Sequence, residues 1–213
     1  MVQNDLADID ITELGESFEV FATGKLSTFM DHISRFRPTT MGKEPAEVID
    51  ALQAAIRVRD AATARHQSRT GYLSGAIAKV MGFDRDDVFE TALAGYVHDV
   101  GKLTTPLHIL QKDTSLEDHE FDRIKEQPEE GHRMITGLSL TEEVKHAVLY
   151  HHERLDGSGY PHGLSGTDQS MVTRIVAVAD IVDAVVNDRP YRRALRTHET
   201  VEILQRDAGI GLD

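Results

Sequence analysis

Four stretches of this sequence carry imidazoles and carboxylates into apolar surroundings. They are "RDAATARHQSRTGYL" with His66, "ALAGYVHDVGKL" with His98 and Asp99, "HHERLDGSGYP" opening on His151 and His152, and "IVAVADIVDAVV" with Asp180. An ionised carboxylate buried among alanine, valine and leucine costs several kcal/mol unless something pairs with it. Taken singly, each stretch has an ordinary explanation. His98 and Asp99 can cap their own helix, and His66 can sit on a basic surface face. Asp180 can face solvent, with Asp183 three residues on, so that one of the two is expected to be exposed. His151 and His152 are about 100° apart on a regular helix and converge only if the helix frays. The "DGSG" that follows them is where fraying is expected. Taken together, imidazoles and carboxylates on four apolar helices point to a metal centre with nitrogen and oxygen ligands. Such ligands suit iron, manganese or zinc, and a site without thiolates is of the catalytic type. An aspartate beside a histidine is placed to bridge two ions, the arrangement used for in-line displacement at phosphorus.

The elements that must position these groups read as helices. Apolar residues recur at steps of three and four from about Ala46 to Val80, and "MGFDRDDVFETALAGYVHDVGKL" gives a turn, an acidic helix start and an apolar helix through Val97. Ser115 with Asp118 resembles a capping box for "LEDHEFDRIKEQ", Thr141 can cap "EEVKHAVLYHHE", and Ser170 can cap the helix that holds Asp180. Thr197 can cap a last helix, with Gly209 just beyond its end. "RIVAVADIVDAVV" is rich in β-branched residues, but its unbroken length favours a buried helix over a strand. No segment alternates with period two, so the expected fold is all-α. Residues 1–43 read as a separate extension or linker, helical in part, ending in "RPTTMGKEP" ahead of a domain over 44–213.

Composition narrows the functional classes. The 213 residues carry a formal charge of −13, which repels nucleic-acid backbones and argues against DNA or RNA binding. A small phosphorylated ligand stays compatible, because metal ions and local arginines reverse the sign inside a cleft. No run of apolar residues is long enough to span a membrane, the acidic N-terminus does not read as a signal peptide, and there is no cysteine. A cytoplasmic setting is the expectation.

The ordered set His66, "HDVGK" at 98–102, "HHERLDGSGYP" at 151–161, Asp180 and "DRPYR" at 188–192 resembles the HD-GYP domain, a subgroup of the HD phosphohydrolases. The resemblance runs from about Arg59 to Asp213 and rests on "HHERLDGSGYP" followed by "DRPYR". It implies a helical bundle holding two divalent ions, iron or manganese first and zinc or nickel after them. It also implies hydrolysis of cyclic di-GMP to linear pGpG or GMP. His66, His98, Asp99 and Asp180 would hold one ion with Asp99 bridging, and His151 and His152 would serve the other. His98, Asp99 and Lys102 would form the catalytic group, with Lys102 on phosphate. Arg189 and Arg192 would hold the nucleotide. Gly159, Tyr160 and Pro161 would shape the loop and meet a GGDEF-domain partner; a homodimer is also compatible.

Three departures from the family pattern stand out. Gln127 occupies the place of a histidine that normally ligates the second metal, and an amide oxygen is a poor substitute for imidazole. His132, five residues on, replaces it only if the chain is irregular at Pro128 and Gly131. Ala62 stands where some members carry the glutamate of a third metal, so no trinuclear site is expected, and the chain stops at "AGIGLD" where members usually continue into another helix. Two alternatives stay open: a weak or inactive module that binds cyclic di-GMP or a cyclase partner, and a hydrolase of another cyclic dinucleotide.

Overall fold

The computed structural model describes residues 43–187 and 193–213. The extension expected over residues 1–43 therefore lies, but for Lys43, outside the described residues, as do Arg189 and Arg192. Nine α-helices are described: α1 Lys43–Arg59, α2 Ala61–Val80, α3 Arg85–Val97, α4 Leu107–Leu110, α5 Asp118–Lys125, α6 Gln127–Ile135, α7 Glu142–Tyr150, α8 Met171–Val186 and α9 Thr197–Asp207. Two 3-10 turns, Val100–Leu103 and Gly166–Asp168, lie between them, and the described residues contain no strand. None of these helices is long and apolar enough to cross a membrane.

The bundle forms around α3. Its Phe89, Leu93, Tyr96 and Val97 are buried with Ile49 and Ile56 of α1, Val144 and Val148 of α7, and Val172 and Val176 of α8. Because α8 touches α2, α3, α7 and α9, its β-branched surface is covered on several sides, which is why "RIVAVADIVDAVV" is apolar all round. Side-chain caps set the helix starts. Asp84 accepts from the backbone amides of Asp86 and Asp87, Thr141 from Val144, and Ser170 from Thr173.

Three expectations are corrected. The helical run over 46–80 breaks at Asp60, whose extended backbone and side-chain bonds to Ala62 N and Thr63 Oγ1 start a second helix. The capping box of α5 uses Glu117 and Glu120 rather than Ser115 and Asp118, with the Glu120 carboxylate accepting from Glu117 N at 2.8 Å. Thr197 is the first residue of α9 rather than its cap; Arg196 precedes the helix, and its amide donates to Glu199.

The turn that follows α3 fixes where the bundle can hold polar groups. α3 ends at Val97; His98 caps it with helical angles, and Asp99, at φ −99° and ψ 15°, takes the chain out of helical register. Gly101 then lies flat on the start of α6: a Cβ there would stand 1.9 Å from Gln127 O and 2.6 Å from Gly131 N. Both opposing atoms are backbone and cannot swing aside. Gly101→Ala is therefore expected to destabilise the protein by about 3 kcal/mol, at the upper end for an overpacked core. Urea unfolding should show a lower midpoint at unchanged m-value; an unmoved midpoint would mean that the turn and α6 separate freely.

Candidate metal centre

Three helices meet around Asp99. His66 comes from the middle of α2, His98 and Asp99 from the end of α3, and Asp180 from the middle of α8. His66 Nε2 lies 3.0 Å from Asp180 Oδ1 and 3.4 Å from Asp99 Oδ2, and His98 Nε2 lies 3.3 Å from Asp99 Oδ2. His98 Nδ1 meets Gly95 O at 2.7 Å, which assigns the ring proton to Nδ1 and leaves Nε2 a bare lone pair. That Nε2 is buried and has no hydrogen-bond partner. His66, His98 and Asp180 each bring a ligand atom within 4.8 Å of one another, and so do His98, Asp99 and His151. An orphaned imidazole nitrogen facing carboxylates fits a divalent cation.

The electrostatics agree. Burial opposes charge on His66, but hydrogen bonds to Asp180, Asp183 and Asp99 outweigh it and push the pKa up to about 10. Of these, Asp180 and Asp99, on the Nε2 side of the ring, are the ones a cation would use. Burial likewise opposes ionisation of Asp99, yet Lys102, His98 and His66 hold it well below the usual carboxylate range. Asp180 is lowered too, chiefly through His66 against the effect of burial. Its side chain keeps 17% exposure, so the cluster reaches the surface on that side.

The other oxygen of Asp99 faces a second group. α7 ends at Tyr150, and His151 closes the helix while His152 lies in the following turn, so the two rings converge with centroids 4.1 Å apart. His151 Nδ1 lies 3.1 Å from Ala147 O and Val148 O, so its Nε2 is an acceptor. Burial lowers both imidazoles, His152 to about 4 and His151 well below its ordinary value, so both are neutral donors of a lone pair. Gln127, the first residue of α6, reaches among them. Its Nε2 is 2.6 Å from Asp99 Oδ1, 3.4 Å from His151 Nε2 and 3.3 Å from His152 Nε2. His132 does not join them, because α6 runs on as a helix and turns its ring to Thr136, 3.4 Å away, on the side of His146.

A model of the HD domain matches residues 27–213. The chain belongs to the HD domain family. Its curated relatives include a cyclic di-GMP phosphodiesterase of Thermotoga maritima, 41% identical over 68% of this chain and 40% of the relative. Another is the 3'3'-cGAMP-specific phosphodiesterase 1 of Vibrio cholerae, 35% identical over 70% of this chain and 35% of the relative. The chain spans less than half the length of these curated relatives. Among solved structures, the HDG"Y"P protein Bd1817 of Bdellovibrio bacteriovorus shares the fold, with a TM-score of 0.59 and 22% identity over 70% of this chain and 48% of that one. These relatives agree with the HD-GYP resemblance carried by "HHERLDGSGYP".

In this HD domain several supporting residues escaped the sequence reading. Asp183 is not exposed: it is 1% accessible, with Oδ2 2.7 Å from His66 Nδ1 and both oxygens bonded by Arg69. His66 and Arg69 stand three apart on α2, as Asp180 and Asp183 do on α8, so each helix offers an inner and an outer member of one network. That spacing was the available signal. Glu153 is also buried, accepting from the backbone amides of His162, Gly163 and Leu164 at 2.7 to 3.0 Å. It anchors the loop of Gly159, Tyr160 and Pro161. A Cβ on Gly159 would stand 2.4 Å from Glu153 Cα, so the loop folds flat on the segment it follows. Tyr160 lies beside His152 with ring centroids 4.8 Å apart, and Lys102 pairs with Asp99 Oδ2. The carboxylate behind His66 should set its ring orientation and basicity. Asp183→Asn is accordingly expected to weaken Mn²⁺ binding about 10 to 100-fold, read by calorimetry, with helical circular dichroism retained. Unchanged affinity would make Asp183 a purely structural partner of Arg69.

Proposed function

We propose that this chain hydrolyses a cyclic dinucleotide, cyclic di-GMP first, to linear pGpG or GMP at a divalent metal centre in the cytoplasm. The observation that carries the reading is the bare, buried Nε2 of His98 facing the carboxylates of Asp99 and Asp180, with His66 alongside. The names of the relatives support the substrate class. An iron or manganese ion held by His66, His98, Asp99 and Asp180, with zinc or nickel next in order, would supply Lewis-acid activation of water and neutralise charge on the phosphodiester.

The chain's own groups do the rest. Lys102 stands beside Asp99 with its side chain 21% exposed, so its ammonium can leave the carboxylate for a phosphate oxygen. Arg189 and Arg192 would grip the nucleotide with planar forks. Tyr160, packed on His152, would close one wall, and the Gly159–Pro161 loop would offer its outer face to a GGDEF-domain partner or a second copy.

A second reading, a module that binds the dinucleotide without cutting it, is favoured by Gln127, whose amide lies among Asp99, His151 and His152. Incubation of the Fe²⁺- or Mn²⁺-loaded protein with cyclic di-GMP and with 3'3'-cGAMP, followed by chromatography, separates the readings. Linear or mononucleotide product supports hydrolysis, whereas tight binding without product supports the module.

Two substitutions test the assignments. Asp99→Ala should remove bound metal and hydrolysis together, since the carboxylate lies 3.3 to 3.8 Å from the Nε2 atoms of His66, His98 and His151; full metal content in that variant would sink the centre. Replacing Arg189 and Arg192 together with alanine should weaken cyclic di-GMP binding at least about tenfold, given the strength of charged hydrogen bonds, while metal content stays constant. Equal affinity in a calorimetric titration would place the nucleotide elsewhere.

A further inference from the structure

We infer that the side-chain amide of Gln127 stands in for a second metal ion, so that this chain is built to hold one ion rather than two. The inference rests on the proposed metal centre and concerns its ion count.

The geometry distinguishes the two sides of Asp99. Oδ2 faces His66 Nε2, His98 Nε2 and Lys102, and the buried His98 Nε2 has neither proton nor hydrogen-bond partner. Oδ1 faces Gln127 Nε2 at 2.6 Å, and that nitrogen also stands 3.4 and 3.3 Å from the two Nε2 atoms of His151 and His152. A carboxylate oxygen and two imidazole nitrogens converging on one point form a cation's ligand set. Here that point is an NH₂ group.

The chemistry fixes which end of the amide points inward. Asp99 is an acceptor, and His151 must be one, because its Nδ1 proton is directed at Ala147 O and Val148 O. An inward Oε1 would set lone pair against lone pair, whereas NH₂ offers one hydrogen to Asp99 and a second shared between the imidazoles. The outward Oε1 is left buried without a partner, so the amide is held by its nitrogen alone.

The amide also has little room to withdraw. Gln127 is 1% accessible, and its backbone is pinned by Gly101, where a Cβ would already collide with Gln127 O. An ion entering this second position would have to displace the NH₂ and then accept a weak amide oxygen in place of imidazole. His132 gives no relief, since its ring lies beside Thr136.

The test is the ion count in the full chain, without substrate. Protein stripped with chelator and titrated with Mn²⁺ should take one equivalent tightly and a second at least about 100-fold more weakly. His66→Ala should lose the tight equivalent and His152→Ala should keep it. Gln127→His should gain a second tight equivalent; Gln127→Glu, which supplies a carboxylate, serves the same purpose if the histidine variant is poorly folded. Stripped Gln127→Leu, lacking the NH₂, should melt several degrees below stripped wild type, because the buried acceptors Asp99 Oδ1 and His151 Nε2 lose their donor.

Two comparable equivalents in the wild type would overturn the inference. So would loss of the tight ion in His152→Ala, a single ion in both Gln127→His and Gln127→Glu, or an unchanged melting temperature in Gln127→Leu. No bound Mn²⁺ in the wild type and in both gain variants would instead overturn the metal centre itself.

Discussion

A carboxylate at 1% accessibility has to be surrounded by donors, and the architecture of this protein follows from meeting that demand at Asp99. Water is excluded, so each oxygen needs a protein hydrogen, a cation or both. Oδ2 meets Lys102 and the imidazoles of α2 and α3; Oδ1 meets the Gln127 amide and, at 3.8 Å, His151. Those partners lie on α2, α3, α6, α7 and the turn after α3, so satisfying one side chain ties most of the bundle together. The chain is strongly acidic overall, yet it concentrates imidazole and ammonium around this one buried acid.

The supporting network extends outward from His66 to the partly exposed Arg69. Asp183 backs His66 and is itself held by Arg69 and by Asn187 Nδ2 at 3.0 Å. This is the carboxylate–histidine arrangement that fixes which ring nitrogen faces a metal and raises its basicity. On the opposite side Glu153 uses backbone amides rather than side chains, and so holds a loop instead of a ring. One carboxylate orients an imidazole; the other holds a loop beside it.

Helix ends contribute as much as helices. His98 and Asp99, and again His151 and His152, are sequence neighbours that a regular helix would turn about 100° apart. Each pair sits where its helix stops, and each inner histidine caps the last turn through Nδ1 while presenting Nε2. Capping and the presentation of Nε2 are thus one geometry, because satisfying the end carbonyls fixes the tautomer that leaves the other nitrogen a lone pair.

The sequence made legible the helical class and the starts of α3, α7 and α8, because caps and apolar periodicity are local and act within one turn. It also determined the residue types at the centre: an HD dipeptide, a pair of histidines and a mid-helix aspartate in apolar runs are costly enough to need a common explanation. It did not determine the break at Asp60, since the flanking apolar spacing continues across it. Nor did it determine the burial of Asp183, because a second aspartate on one helix face is charged either towards water or towards a partner, and only the packing of α2 on α8 supplies Arg69. Gln127 illustrates the division best. That it departs from the family pattern was legible from the resemblance. Which of its two amide ends faces Asp99 depends on the acceptors that α3 and α7 bring against it, and His132 turns away because α6 runs on as a helix. Contacts between segments far apart in sequence decide such matters, and no local periodicity encodes them.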